Sequence, residues 1–302
     1  MLGKTRRDVL KSLTAIAGAA GLEAAGQGYR PVLAVQTYVW TQKLDGENKT
    51  LAEGIEEVFA GSRSAGFRHI ELVSSFVQSE VLEKTRAALK KNGMRAPIVY
   101  TGCQFHDDAA AGKSIADALA VAEAAKSIGA VYLNINPSVK PRRERKSDEE
   151  LATQARNVDK LAQALQGRGM KLMLHHHDPE MADNAREWRH LLKNTDEKLT
   201  GFNVDVHWVL RGGQDVMTIL RETGPRLVSL HLRNSTGGVW GEAFGAGDID
   251  YVRVAGFLKE MKFRGYLVVE LAVEKNTKVT RPLVDSLRLS REYAGSTFGV
   301  KA

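Results

Sequence analysis

The chain has 302 residues, 43% hydrophobic and 26% charged, a composition ordinary for a folded globular protein and contrary to disorder or a fibrous repeat. Its single cysteine, Cys103, excludes an intrachain disulfide and a cysteine-rich metal cluster. The formal charge is +7, but four cations and two carboxylates lie within the first 26 residues, leaving +5 dispersed over the remainder, which argues against a nucleic-acid partner.

The first predicted element is a targeting segment. Met1–Arg7 is basic, Val9–Ala20 is mildly apolar, and Ala24-Ala25-Gly26 offers small residues for cleavage. Thr5-Arg6-Arg7-Asp8-Val9-Leu10-Lys11 resembles the twin-arginine export motif, in which a receptor reads the paired arginines. The expectation is a signal peptide over 1–26 that engages the twin-arginine machinery. A mature domain, 27–302, would then be exported folded to a periplasmic or other extracytoplasmic site. The competing reading is an amphipathic first helix. The apolar run is too short and interrupted for a stable membrane span, which needs about 20 residues.

Beyond residue 30, β-rich runs alternate with helical periodicity. Strands are predicted at Val32–Val39, His69–Ser74, Ile98–Gly102, Val131–Ile135, Lys171–His176, Gly201–His207, Val228–Leu232 and Tyr266–Leu271. Helices are predicted at Leu51–Ser64, Ser79–Asn92, Ser114–Ile128, Asp148–Gln166, Pro179–Lys193, Asp215–Glu222, Tyr251–Lys262 and Pro282–Tyr293. Gly66, Gly129, Gly169 and Gly265 each precede a strand, where a glycine closes the helix before it. Strict alternation means a parallel sheet with helices outside. Eight repeats favour a closed single-domain α/β (β/α)₈ barrel, and no Gly-x-Gly-x-x-Gly follows the first strand to support a dinucleotide fold.

Barrel chemistry sits where strands end. Strand 2 carries His69 and Glu71, and strand 5 runs into His175-His176-His177-Asp178-Pro179-Glu180. Strand 6 ends Asp205-Val206-His207-Trp208, strand 7 ends His231-Leu232-Arg233-Asn234, and strand 8 carries Glu270. Alternation puts His175 with His177, and Asp205 with His207. Imidazoles and carboxylates buried together are costly unless paired or holding a cation, and this mixed nitrogen and oxygen set suits a divalent metal.

These residues resemble the xylose-isomerase-like barrel superfamily, most of all its sugar phosphate isomerase/epimerase branch. His175-His176-His177-Asp178-Pro179-Glu180 is similar to that branch's His-Asn-His-Asp-Phe-Glu, and Asp205-Val206-His207-Trp208 to its Asp-Val-Tyr-Trp. His231-Leu232-Arg233-Asn234 is similar to His-Leu-Lys-Asp. Gly245-Ala246-Gly247-Asp248-Ile249-Asp250-Tyr251 is similar to Gly-x-Gly-x-x-Asp-Trp. The resemblance implies one divalent ion (Mn, Co, Zn or Mg) held by Asp205, His231, Glu270 and a strand 5 group. The family's strand 5 glutamate falls on His175. With histidine there, ligation by His175 or His177 stays open, as does a role for Glu180 swinging in from the loop.

The expected activity is a metal-dependent sugar or keto-sugar isomerase or epimerase, with proton transfer through an enediolate and Glu270, His177 and Glu180 as candidate catalytic groups. A lyase or dehydratase acting on a 3-keto-sugar or cyclitol is the runner-up. A sugar-binding protein without catalysis and a repair endonuclease are the readings from other classes. Glu71, His207 and Arg233 are expected to contact substrate, and His176 to pack. His106 and His190 read as a loop and a surface residue. The basic run Lys140–Lys146 reads as a solvated loop or a lid over an anionic ligand. The expected partner is a small carbohydrate, and a homo-oligomer is left open.

Overall fold

The structure is a computed structural model of the chain and describes residues 28–300; the expected signal segment lies outside these residues. The elements are β1 (Val32–Gln36), α1 (Tyr38–Gly46), α2 (Leu51–Ser64), β2 (His69–Val73), α3 (Leu82–Asn92), β3 (Arg95–Cys103), α4 (Asp108–Ser127) and β4 (Tyr132–Pro137). Next come α5 (Asp148–Gln166), β5 (Lys171–Leu174), α6 (Asp178–Asn194), β6 (Thr200–Asp205), α7 (Val206–Arg211), α8 (Val216–Thr223) and β7 (Leu227–Leu232). A short hairpin, β8 (Ser235–Thr236) with β9 (Val239–Trp240), precedes α9 (Tyr251–Glu260), β10 (Tyr266–Val269) and α10 (Leu283–Phe298). Strands β1 to β7 and β10 are all parallel and close into a (β/α)₈ barrel, with β10 joined to β1. Strand β10 is therefore the eighth barrel strand, and the chain folds as the expected single-domain barrel.

Two-residue alternation divides each strand between two environments. Outward residues such as Val35, Val99, Leu133, Leu172, Val204, Leu230 and Leu267 are buried in one apolar layer with Phe59, Trp188, Leu161 and Leu258. The inward residues Ala34, Ile98, Met173 and Val268 form a second, smaller apolar plug low in the barrel. The polar inward residues Glu71, Tyr100, Asn136, His175, Asp205, His231 and Glu270 stand one or two steps further along, toward the strand ends. This segregation carries the site: the plug seals one end and leaves the chemistry at the other.

Helix ends follow local rules. Ser147 accepts from Glu150 N while Glu150 accepts from Ser147 N, a reciprocal cap that starts α5. Gly66, Gly129 and Gly169 have φ of 98°, 93° and 72°, the left-handed conformation that ends a helix. Gly265 is different: Lys262 takes the left-handed turn at φ 55°, and Gly265 is required because a Cβ there would lie 2.0 Å from the Val228 carbonyl oxygen. Helix α6 is interrupted at Ala182–Ala185, where the backbone leaves helical geometry. Three features were not expected from sequence: helix α1, helix α7 and the β8–β9 hairpin.

Candidate metal centre

Four side chains converge at the C-terminal rim of the barrel. His175 follows β5, Asp205 ends β6, His231 lies in β7 and Glu270 follows β10; all are buried, and one donor atom from each lies within 4.8 Å of the others. The backbone fixes the group. His175 N bonds Ile135 O at 2.7 Å and Glu270 N bonds Leu232 O at 3.1 Å, so both residues extend the sheet ladder past the strand ends.

Each side chain is oriented from behind. Asn136 Nδ2 donates to Pro137 O, which turns Asn136 Oδ1 toward His175 Nδ1 at 3.0 Å. The His175 Nδ1–H therefore donates to Asn136, and Nε2 is left as a buried lone pair without a hydrogen-bond partner, 3.8 Å from Asp205 Oδ2. Asp205 Oδ1 accepts from His207 N and Trp208 N at 3.0 and 3.1 Å, capping α7, while Oδ2 points into the cluster. His231 Nε2 meets Glu71 Oε2 at 2.9 Å, and Glu71 Oε1 accepts from Asn134 Nδ2 at 2.9 Å. His231 Nδ1 lies 2.8 Å from Glu270 Oε2 without hydrogen-bond geometry. A carboxylate behind a ligand imidazole is a recurring support at metal sites.

The electrostatics describe the metal-free state. Burial strongly favours the neutral ring at His175 and takes its pKa well below the ordinary value, despite Asp205 nearby. Burial also opposes charge on Asp205, but Arg233 holds its carboxyl well below the carboxylate range. His231 suffers the same burial, yet Glu71 and Glu270 flank it and raise it to about 10. Arg233 Nη2 donates to Asp205 Oδ2 at 2.6 Å and Glu270 Oε2 at 2.5 Å.

The donors fit a divalent cation. Ligands about 2.0–2.2 Å from a zinc-sized ion stand within roughly 4.4 Å of one another, close to the spacing here. Buried His175 Nε2, left without a hydrogen bond, is the sharper observation, because such an orphan is otherwise costly. Asp205, His231 and Glu270 are the three residues that the resemblance put forward as ligands, and of the strand 5 alternatives it is His175 that lies with them.

Beside the cluster lies a cavity of about 790 Å³, bordered by Glu270, Arg233, His177, Tyr100, Trp208 and Trp240. Not every expected site residue reaches it. Glu71 was expected to contact substrate, but it is wholly buried behind His231. His207 was expected to share the face of Asp205. The chain instead turns into α7 at Val206, and His207 is buried, with Nε2 on Ser235 Oγ at 2.8 Å and Nδ1 accepting from Trp240 Nε1 at 3.0 Å. It positions Trp240 instead of touching a ligand, and burial lowers its pKa to about 4. Glu180 does not swing toward the cluster: it is wholly buried, and Oε2 accepts from His177 N at 2.8 Å at the start of α6. Burial raises it to about 7, with Glu187 adding to the effect.

Arg233 and His177 do border the cavity. His176 packs edge-on against Trp188, 4.6 Å between ring centres, as expected from its outward position. His106, read as a loop residue, is buried. Trp208, Trp240 and Tyr100 escaped sequence reasoning because ring size and burial give no period of their own. The Gly237-Gly238 turn before Trp240 was the one available signal.

The basic run resolves into pairs. Lys140 meets Glu150, Arg143 meets Asp178, Arg145 meets Asp183 and Lys146 meets Glu187, at 2.6–3.1 Å.

A parallel barrel with buried metal-type donors at its C-terminal rim, beside a cavity, has the layout of a metal-dependent barrel enzyme. The chain belongs to the xylose isomerase-like TIM barrel family, whose profile matches residues 59–293. It is similar to the inosose dehydratase of Clostridium perfringens, 28% identical over 165 residues, which are 49% of this chain and 54% of that one. The chain thus spans about half the length of that relative. The inosose dehydratase of Geobacillus kaustophilus is 23% identical over 268 residues, 79% of this chain and 85% of that one. Among solved structures, a sugar phosphate isomerase/epimerase from Parabacteroides distasonis superposes with a TM-score of 0.70 at 16% identity, covering 91% of this chain and 96% of that one. At that identity the likeness speaks for the fold.

Proposed function

We propose that this chain is a divalent-metal-dependent lyase that removes water from a keto-sugar or keto-cyclitol. One observation carries the preference for elimination over epimerisation. Of the imidazole and carboxylate groups bordering the cavity, His177 is the one in no ion pair among the described residues; its edge-on neighbour is Trp208, at 5.1 Å. Glu270 is held by Arg233 and His231, and Asp178 by Arg143. Burial lowers the pKa of His177, so the ring is a neutral base. Moving a proton from one ring face to the other needs two free carriers, whereas a single imidazole can complete an elimination.

His175, Asp205, His231 and Glu270 would hold the ion. When bound, a divalent cation supplies charge stabilisation to a carbonyl oxygen and acidifies the neighbouring C–H. His177 then accepts that proton as the C–H bond breaks and the electron pair becomes a C=C bond. The imidazolium returns the proton to the β-hydroxyl as its C–O bond breaks, and water leaves. Arg233 bonds both carboxylates and holds Asp205 ionised. The inosose dehydratases among the sequence relatives support this reading. Glu270 at the cavity edge is the observation favouring the second reading, an isomerase or epimerase, because it is a further proton carrier.

The test offers keto-cyclitols and 3-keto-sugars to the metal-loaded protein in deuterated water. An ultraviolet-absorbing enone is expected, together with deuterium at carbon in recovered substrate, and both should vanish in His177→Ala. A recovered epimer without enone would replace elimination by epimerisation, and no carbon exchange with any keto substrate would overturn proton transfer altogether.

We further infer that residues 1–26 direct export through the twin-arginine route and that the mature protein works outside the cytoplasm. Arg6 and Arg7 carry that reading. Replacing both by lysine should retain the precursor in the cytoplasm, and an unprocessed, cytoplasmic unmutated protein would overturn it. Among the described residues, no helix is long and apolar enough to cross a membrane.

A further inference from the structure

The cavity beside the metal cluster has more room than one sugar ring uses. Small-molecule pockets range over about 300–1,000 Å³, and one six-carbon ring needs the low end of that range. At about 790 Å³ this cavity lies near the top. It also has a neighbour. A second cavity of about 520 Å³ opens between α1 and the ends of β2 and β3, and the two share Tyr38, Val73 and Tyr100 as common walls. Both therefore lie at the same end of the barrel.

The second cavity has the lining that a polyhydroxylated ring requires. Thr41, Ser74, Ser75 and Thr101 offer hydroxyls and Asp45 a carboxylate able to bond sugar oxygens, while Lys49 is held by Glu47 and Glu57. Tyr38 and Tyr100 supply aromatic surface at the junction, and Tyr38 is 42% exposed, unusual for a residue with so large an apolar body. Aromatic rings with a polar tip suit ligands that are apolar on one face and wet at the edge. Tyr38 is held by its own backbone: its N–H donates to Gln36 Oε1 at 2.6 Å and its carbonyl accepts from Thr41 Oγ1 at 2.7 Å. None of these groups has a part in holding the ion or moving the proton.

We propose that the substrate is a two-ring molecule, a keto-sugar or keto-cyclitol carrying a second polyhydroxylated ring, as in a disaccharide or glycoside. The reacting ring lies at the metal cluster and the second ring lies across Tyr38 in the adjoining cavity. This rests on the reading of the cluster as the reacting centre. Tyr38 is then a specificity-determining residue: it selects for length and takes no part in the chemistry.

Gly102 gives a clean way to fill the second cavity. It lines that cavity, its backbone is not left-handed, and an added Cβ would meet nothing nearer than the Asn136 carbonyl oxygen at 3.8 Å. The experiment measures binding of trehalose and of glucose to the metal-free full-length protein by calorimetry, so it does not depend on turnover. Trehalose is expected to bind at least tenfold more tightly than glucose. Gly102→Phe and Tyr38→Ala, each checked for folding by its thermal melt, should both erase that difference. Equal affinities, no binding of either sugar, or a preference that survives both substitutions would overturn the proposal. Disaccharide preference without turnover of any keto-sugar would sink the dehydratase reading alone, and turnover without that preference would sink the two-ring substrate alone.

Discussion

Residues 140–146 and the strand-end cluster are both dense in charge, yet they are built on opposite principles. In the loop four of the five cations each have a carboxylate of their own within 3.1 Å, and three of these, Lys140, Arg143 and Arg145, lie where water screens the pair. Lys146 is the buried exception, satisfied by Glu187 and Gln154. At the cluster the four side chains are buried, and His175 Nε2 is left without a hydrogen bond although its ring is braced from behind by Asn136. Charge density alone therefore does not mark a site. An unspent lone pair in a buried, braced group does.

The largest effect that would break this contrast is expected from Asp205→Ala. It removes a proposed ligand, the α7 cap and one partner of buried Arg233 together. Metal content by elemental analysis and turnover should both fall to near background. The metal-free protein should lose about 3–5 kcal/mol in denaturant unfolding, as when one member of a buried ion pair is removed. Full metal stoichiometry in this variant would dissolve the proposed centre.

A smaller effect separates bracing from ligation. Glu71→Gln keeps the shape behind His231 and removes the charge. Metal affinity by chelator competition should weaken about 10–100-fold, the usual cost of losing such a support. No change would mean that the His231–Glu71 pair is merely packed.

Glu180 sharpens the comparison through pH, because it is buried like the cluster but spends its lone pair on a helix cap. Unfolded it ionises near 4.5 and folded near 7, so between those values the native state binds more protons. Its contribution is complete below about pH 4.5 and is lost as pH rises through about 7. Thermal melts should show this decline, worth about 1–3 kcal/mol. Glu180→Gln should flatten it, and an unaltered slope would place the titration elsewhere.

The smallest effect is expected in the loop. Arg145→Ala breaks an exposed pair at 3.1 Å and should change stability by less than about 1 kcal/mol. Turnover should be unaltered, since Arg145 does not border the cavity at the cluster. A marked loss of activity would restore the idea of a charged lid.

Much of this fold was legible from alternation alone. The eight predicted strands each overlap an observed one, because outward Val and Leu positions must cover helices while inward positions change from apolar to polar along the strand. The ends were less legible. Strand 6 was expected to continue to His207, but Asp205 caps a helix there. The two-residue period stops at the residue whose role depends on it. That misplaced His207, while His231 and Glu270, within or directly beyond regular strands, fell where the pattern put them. Glu71 was misjudged for a different reason. Its inward direction was readable, but its depth below the rim depends on the stagger of neighbouring strands, with Glu71 opposite Gln36 and Ile98. Helix α1 was hidden because Tyr38-Val39-Trp40 reads as strand.

The histidine at the fifth strand has a consequence for which elements this protein can recruit. A set of two imidazoles and two carboxylates is softer than one rich in oxygen, and nitrogen donors give little advantage to magnesium or calcium. Zinc, cobalt and iron gain most from such a set, and manganese less. Exposed to an equimolar mixture, the protein should discard the alkaline-earth ions, so its occupancy would follow the local supply of late first-row metals.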